Sequence, residues 1–164
     1  MPAGLNDNLP DVLKTLRTRP LFVMHLEVRE LQIVGATPGA YRRVGVVPEG
    51  SFEGERLSGE VLDGGSDWQA VRNDGATTLS VRLVLKTKDD ALIGMTYRGV
   101  RHGPPDVVAR IEKGEAVDPA SYYFRISPLF ETSAGKYDWV NRVVAVGIGY
   151  RRADGPIYSV FEVL

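Results

Sequence analysis

Two stretches of the chain concentrate side chains able to do acid–base and oxyanion chemistry. The first reads Ser121-Tyr122-Tyr123-Phe124-Arg125-Ile126-Ser127-Pro128-Leu129-Phe130-Glu131 and continues, past Ala134-Gly135-Lys136, into Tyr137-Asp138-Trp139-Val140-Asn141-Arg142. Rings, arginines, a carboxylate and an amide in two short β-like runs make a candidate ligand-binding wall. Arg125, helped by Asn141, would hold developing oxyanion charge, and Glu131 would act as base. The second stretch runs through Gly50-Ser51-Phe52-Glu53-Gly54 to Gly64-Gly65-Ser66-Asp67-Trp68-Gln69, where glycines permit tight turns and Asp67 stands beside a large ring at a strand start. Asp67 is the other candidate base, or a partner for Arg72 or Arg125. Tyr97 or Tyr123 would supply the acid or orient a phenol, and Trp68, Trp139, Asn141, His102 and Arg72 are the candidate substrate-binding side chains. His102 lies beside Arg101, a positive neighbour that favours its neutral, basic form.

Strand alternation decides whether these groups can meet. Tyr122, Phe124 and Ile126 share one face of their run and Tyr123, Arg125 and Ser127 the other. An ordinary half-buried sheet would send the second set to water. A site requires a barrel in which Tyr123 and Arg125 point into an enclosed cavity. Tyr97 ends an inward-looking row with Ile93 and Met95, where its alternative role is that of a core tyrosine.

The elements that must position these residues are mostly strands. Apolar alternation begins near residue 21 and recurs over 31–34, 41–47, 57–62, 67–72, 77–86, 91–98, 122–127, 139–150 and 157–163, separated by turns such as Asn73-Asp74-Gly75, Lys88-Asp89-Asp90 and Ala153-Asp154-Gly155-Pro156. About ten such segments predict an antiparallel sandwich or barrel. Leu9, Val12, Leu13 and Leu16 are spaced for a short amphipathic N-terminal helix. The insertion 101–114 predicts a helical turn, N-capped by Asp106 and placed as a cover over a barrel mouth. Gly147 and Gly149 are expected to bend their strand at a barrel corner. The organisation expected is an extension with a short helix at 1–19 and a single barrel domain at 20–164.

Composition narrows the function classes. Twenty basic against twenty-one acidic side chains in 164 residues disfavour a nucleic-acid partner. The absence of cysteine excludes disulfides and thiolate chemistry, and two isolated histidines do not make a standard metal site. No apolar run suggests a signal peptide or membrane span, so a cytoplasmic protein without a membrane partner is expected. Phosphate-binding loops and Gly-x-Ser-x-Gly are also missing. The runs Val143-Val144-Ala145-Val146 and 158–164, apolar on both faces or nearly so, suit a buried strand or a homo-oligomer interface.

Gly50–Gly54, Gly64–Gln69, Asp118-Pro119-Ala120-Ser121-Tyr122-Tyr123-Phe124-Arg125, Phe130-Glu131-Thr132 and Tyr137–Arg142, in this order, resemble the family catalogued as domain of unknown function 3237. The resemblance runs from about Pro20 to the C-terminus, with Val140 where leucine is expected, and leaves the N-terminal helix outside. It implies a single-domain, calycin- or lipocalin-like antiparallel β-barrel of bacterial or fungal origin. The function expected is a lyase or isomerase that needs no cofactor and moves protons on a small aromatic, phenolic or carbonyl compound, for example by retro-aldol cleavage in aromatic catabolism. The alternative is a barrel that binds a small hydrophobic or aromatic ligand without reacting it.

Overall fold

The structure is a computed structural model and describes residues 4–164. Its strands are β1 (Thr18–Leu26), β2 (Gln32–Ala36), β3 (Tyr41–Val47), β4 (Gly50–Glu53), β5 (Gly59–Val61), β6 (Gly65–Val71), β7 (Thr77–Thr87), β8 (Leu92–His102), β9 (Tyr123–Glu131), β10 (Ala145–Arg152) and β11 (Gly155–Val163). One helix, α1 (Pro105–Glu112), lies between β8 and β9. All strand neighbours are antiparallel.

Three of the staves are long strands interrupted by a bend. The ladder between β1 and β4 continues toward the β2–β3 hairpin through Glu27 N–H to Glu49 O and Arg29 N–H to Val46 O, both 3.0 Å. The pairs β1/β2, β3/β4 and β5/β6 therefore each act as one stave. Gly64, at φ +102°, takes the turn between β5 and β6 that an L side chain resists. β7 pairs with β5 and β6 along one edge and with β8 along the other, while β11 joins β1. The result is an all-β, closed, eight-stranded antiparallel barrel.

Period-two patterning fills its interior. Leu79, Val81, Leu83 and Leu85 of β7 point inward against Ile93, Met95 and Tyr97 of β8. One end is an apolar plug in which the ring of Phe22 lies 5.5 Å from Phe52 and 5.9 Å from Phe130. A 3₁₀ segment, Gly135–Arg142, is fastened beside the β7–β8 turn by Lys136 Nζ and Tyr137 OH, which both donate to Asp89 at 2.6 Å. These bonds hold the Asp89 carboxyl well below the usual carboxylate range, the one from Lys136 most strongly. The opposite end is polar and lies under α1.

Three local expectations change. The N-terminal helix is only a three-residue 3₁₀ turn, Asp11–Leu13, and buries nothing: Val12, Leu13 and Leu16 are 64–74% exposed. Helical spacing without a cap or a groove to enter cannot nucleate a stable helix. The strand expected over 139–150 starts at Ala145, because 137–142 belong to the 3₁₀ segment, closed by an Asp138–Arg142 pair at 2.7 Å. Asp106 sits in the first turn of α1 but does not cap it; the cap position is Pro104, with no side-chain bond. Gly147 and Gly149 give room to neighbours. A Cβ on Gly149 would stand 2.4 Å from the ring of Phe124, and one on Gly147 would stand 2.6 Å from Ile126.

Candidate functional site

The polar end of the barrel is built by parity along four strands. On β6, Asp67 and Gln69 are two residues apart and both face inward, paired opposite Val81 and Leu79. Arg43 of β3 lies opposite Gln69. On β8 the inward row continues past Tyr97 through Gly99 to Arg101, and a Cβ on Gly99 would stand 2.9 Å from Ile126 and 3.0 Å from Leu79. Tyr158 enters from β11, and Glu112 reaches in from the last turn of α1.

These groups surround a partly open cavity of about 70 Å³, walled on its apolar side by Leu31, Leu79, Ile111 and Phe124 and also reached by Arg151. Their hydrogen bonds form a directed chain. Glu112 receives Arg43 Nη1 at 2.5 Å, Arg43 Nη2 at 2.8 Å and Arg101 Nη2 at 3.0 Å. Arg43 Nε donates to Gln69 Oε1 at 2.8 Å, and Gln69 Nε2 donates to Asp67 Oδ2 at 2.8 Å. Asp67 Oδ1 receives nothing. Among the described residues it and His25 Nε2 are the buried side-chain polar atoms without a hydrogen-bond partner, and His25 Nε2 has Asp154 Oδ2 at 3.5 Å.

The electrostatics follow from that arrangement. Burial raises Asp67 to about 6, against the opposing pull of the Gln69 bond and of Arg101, Arg43 and Arg151. Its carboxyl thus exchanges a proton near neutrality. The bond from Arg43 holds Glu112 below its ordinary value despite partial burial. Tyr97 and Tyr158 pack edge-on, 5.5 Å between ring centroids, and burial pushes both phenols up, so they stay protonated and serve as donors. An ionisable carboxylate, a neutral phenol and fixed guanidinium charges around one small cavity are the parts needed to move a proton and to hold the negative charge it leaves behind.

The structure separates the ten residues singled out in the sequence into three groups. Asp67 and Tyr97 face the barrel interior. Trp68, His102, Tyr123 and Arg125 gather instead on an open groove across the outer faces of β6 to β10. There Tyr123 stacks on His102 at 5.0 Å and the Arg125 guanidinium lies 4.7 Å from the Tyr123 ring. Tyr123 and Arg125 therefore do not point into the cavity: β9 gives its inward positions to Phe124, Ile126 and Phe130, the only parity that buries the apolar set. The rest are apart from both. Glu131 is exposed at the end of β9, and Arg72 pairs with Asp74 in a turn. Trp139 lies under Arg56 at 4.1 Å, and Asn141 bonds the backbone of Thr132 at 2.8 and 3.0 Å.

Arg43, Gln69, Arg101, Glu112 and Tyr158 join the site with no motif in the sequence to mark them. Parity was the available signal for two of them: Gln69 shares a face with Asp67, and Arg101 continues the row of Tyr97. The expected cover over a barrel mouth does lie there, as α1. No group of three or more His, Cys, Asp or Glu side chains disposed to hold a metal ion occurs among the described residues, and no helix among them is long and apolar enough to cross a membrane.

Fold and site together define a closed β-barrel protein with a small charged pocket at one end. Residues 16–163 match the family model described as protein of unknown function (DUF3237), and the chain belongs to that family. UPF0311 protein RPA1785 of Rhodopseudomonas palustris is 32% identical over 92% of this chain and 98% of its own length, and its crystal structure superposes with a TM-score of 0.89, covering 92% and 99% of the two chains. A β-barrel-like protein from Acinetobacter baumannii is 34% identical, with a TM-score of 0.81 over 96% and 99% of the chains. The structure of an enzyme from Penicillium herquei shares the fold at 20% identity, with a TM-score of 0.69 over 91% and 95%.

Proposed function

We propose that the protein is a lyase or isomerase that needs no cofactor and transfers protons at the inner cavity on a small carbonyl or phenolic compound. The observation that carries this is Asp67: a buried carboxyl, raised to about 6, with one oxygen unpartnered and facing guanidinium groups. A base needs an oxygen free to take a proton, and Asp67 Oδ1 is free. In a retro-aldol step Asp67 takes the hydroxyl proton of a β-hydroxy carbonyl compound. The carbon–carbon bond breaks, its electron pair forms an enolate stabilised by Arg101, and Asp67 returns the proton to carbon as an aldehyde leaves. In an isomerisation the same carboxylate takes a carbon-bound proton and returns it elsewhere. Electrons stay within the substrate in both cases. A space of about 70 Å³ admits the reacting end of such a molecule, roughly the room of two waters, so a ring would have to occupy the region that α1 now covers.

The test is a turnover screen of phenolic and β-hydroxy carbonyl compounds read by mass spectrometry. Asp67→Asn should lose at least about a hundredfold in kcat/KM, whereas Arg125→Ala on the outer face should stay within about twofold of the parent. With Asp67 as base, kcat/KM should climb tenfold per pH unit below about 6 and level off above it. Equal activity in Asp67→Asn would defeat the proposal. A second reading, a barrel that only binds an aromatic ligand, draws on the outer groove with its Tyr123–His102 stack. It predicts binding without turnover, weakened by Tyr123→Ala and indifferent to Asp67.

A further inference from the structure

Glu112 occupies the position a ligand would be expected to take. Arg43 and Arg101 are 8% and 6% exposed, so the guanidinium groups belong to the barrel wall, while the Glu112 side chain is 36% exposed and enters from outside. Arg43 grips both carboxylate oxygens in a fork, and Arg101 adds a third bond to one of them. Bidentate guanidinium geometry of this kind is how arginine recognises a planar carboxylate, wherever that carboxylate comes from.

The element carrying Glu112 is lightly held. α1 has eight residues, of which Val107 and Ile111 are buried. It begins at the second of two prolines, Pro105, and is followed by Gly114, whose φ of +76° closes the last turn with its N–H on Ile111 O at 2.9 Å. The balance of charge also favours an incoming anion. Three arginines and two carboxylates line the cavity, so withdrawal of Glu112 would leave three positive groups facing Asp67 alone.

We infer that Arg43 and Arg101 form a carboxylate-binding subsite for which Glu112 is the built-in occupant, and that ligands carrying a carboxylate bind by displacing the last turn of α1. This rests on the cavity being the reaction site and narrows its substrates to carboxylates whose reactive end reaches Asp67. Glu112 then competes with the ligand, keeping the arginines paired when the site is empty and lowering apparent affinity by the fraction of protein in which the latch is closed.

The experiment measures binding of benzoate, neutral benzamide and inorganic phosphate by calorimetry to the parent chain and to Glu112→Gln. Removing the competing charge should tighten benzoate by about tenfold and move benzamide less than about twofold. Unchanged or weakened benzoate binding in Glu112→Gln, or no benzoate binding to either protein, overturns the inference. Phosphate binding as tightly as benzoate overturns the assignment to a planar carboxylate. Should Glu112→Gln not fold, hydrogen exchange of the parent decides: benzoate, and not benzamide, should speed amide exchange across 105–113, and unchanged or slower exchange there counts against the latch. The two readings fail separately. Asp67-dependent turnover without carboxylate binding removes the subsite alone, and carboxylate binding without turnover removes the proton-transfer reading alone.

Discussion

A carboxyl that burial raises to about 6 destabilises the fold wherever it is ionised, and this makes Asp67 testable apart from any substrate. Unfolded, the group titrates near 3.8; folded, it keeps its proton to about 6. Between those values the folded state binds more protons, so the contribution of Asp67 to stability falls as pH rises through the window and is at its least favourable above it. The difference corresponds to about 3 kcal/mol. Asp67→Asn preserves size and can still accept from Gln69, so it should raise stability by about 1–3 kcal/mol at pH 8. That gain should shrink steadily toward pH 4. Thermal unfolding of both proteins across this range checks it, and a gain that does not depend on pH would mean that the carboxyl is not the origin. A stabilising substitution that abolishes turnover is what a site holding an unfavourable charge for chemistry should give.

At the scale of elements, β9 and β10 are fitted through glycine. Phe124 is 1% exposed and its ring lies where the side chain of residue 149 would be, so the two strands approach only because Gly149 has none. Phe124 also forms a wall of the cavity and supports Arg101, whose guanidinium is 5.6 Å from the ring. Gly149→Ala should therefore cost about 1–3 kcal/mol by overpacking and should also disturb Arg101. Denaturant titration gives the first effect, and the turnover or carboxylate binding of the same variant gives the second. A stability loss under about 0.5 kcal/mol would show that the ring can move aside. α1 differs in kind, because its position depends on two buried side chains and the Glu112 bonds rather than on a strand ladder.

At the scale of the molecule, closure gives every stave two neighbours, although β2, beyond the bend from β1, pairs with β3 alone. β11 joins the last stave to the first: Ser159 is opposite Val23 of β1 and also opposite Ile148 of β10. Proline there removes a ladder donor in a strand paired on both sides, so Ser159→Pro should cost about 3 kcal/mol or more, read as a large drop in Tm or failure to fold. The same substitution in an open sheet's edge would be tolerated, and tolerance here would argue against closure. Closure also explains the unequal ends. The aromatic plug and the 3₁₀ segment lie at one mouth, and the charged cavity lies at the other, beneath α1.

The sequence by itself determined the fold class, because period-two burial along a strand is a local property: the rows Leu79 to Leu85 and Ile93 to Tyr97 were legible as inward faces, whereas for β9 alternation separated Phe124 from Arg125 without fixing which faced inward, and the site expected there required Arg125 inside. It also drew attention to Asp67 and Tyr97, whose neighbours along the chain are informative. The sequence alone did not determine which charged groups share a cavity. Arg43, Asp67, Arg101, Glu112 and Tyr158 come from four strands and a helix, and only the closed ladder brings them together. Nor could helical spacing at Leu9 to Leu16 reveal that no groove receives that face, or a run of aromatic and polar residues at 137–142 that bonds to Asp89 and Thr132 favour a 3₁₀ turn over a strand. Local periodicity sets which way a side chain points; what it meets there is set by contacts between residues far apart in the chain, and those the tertiary structure alone decided.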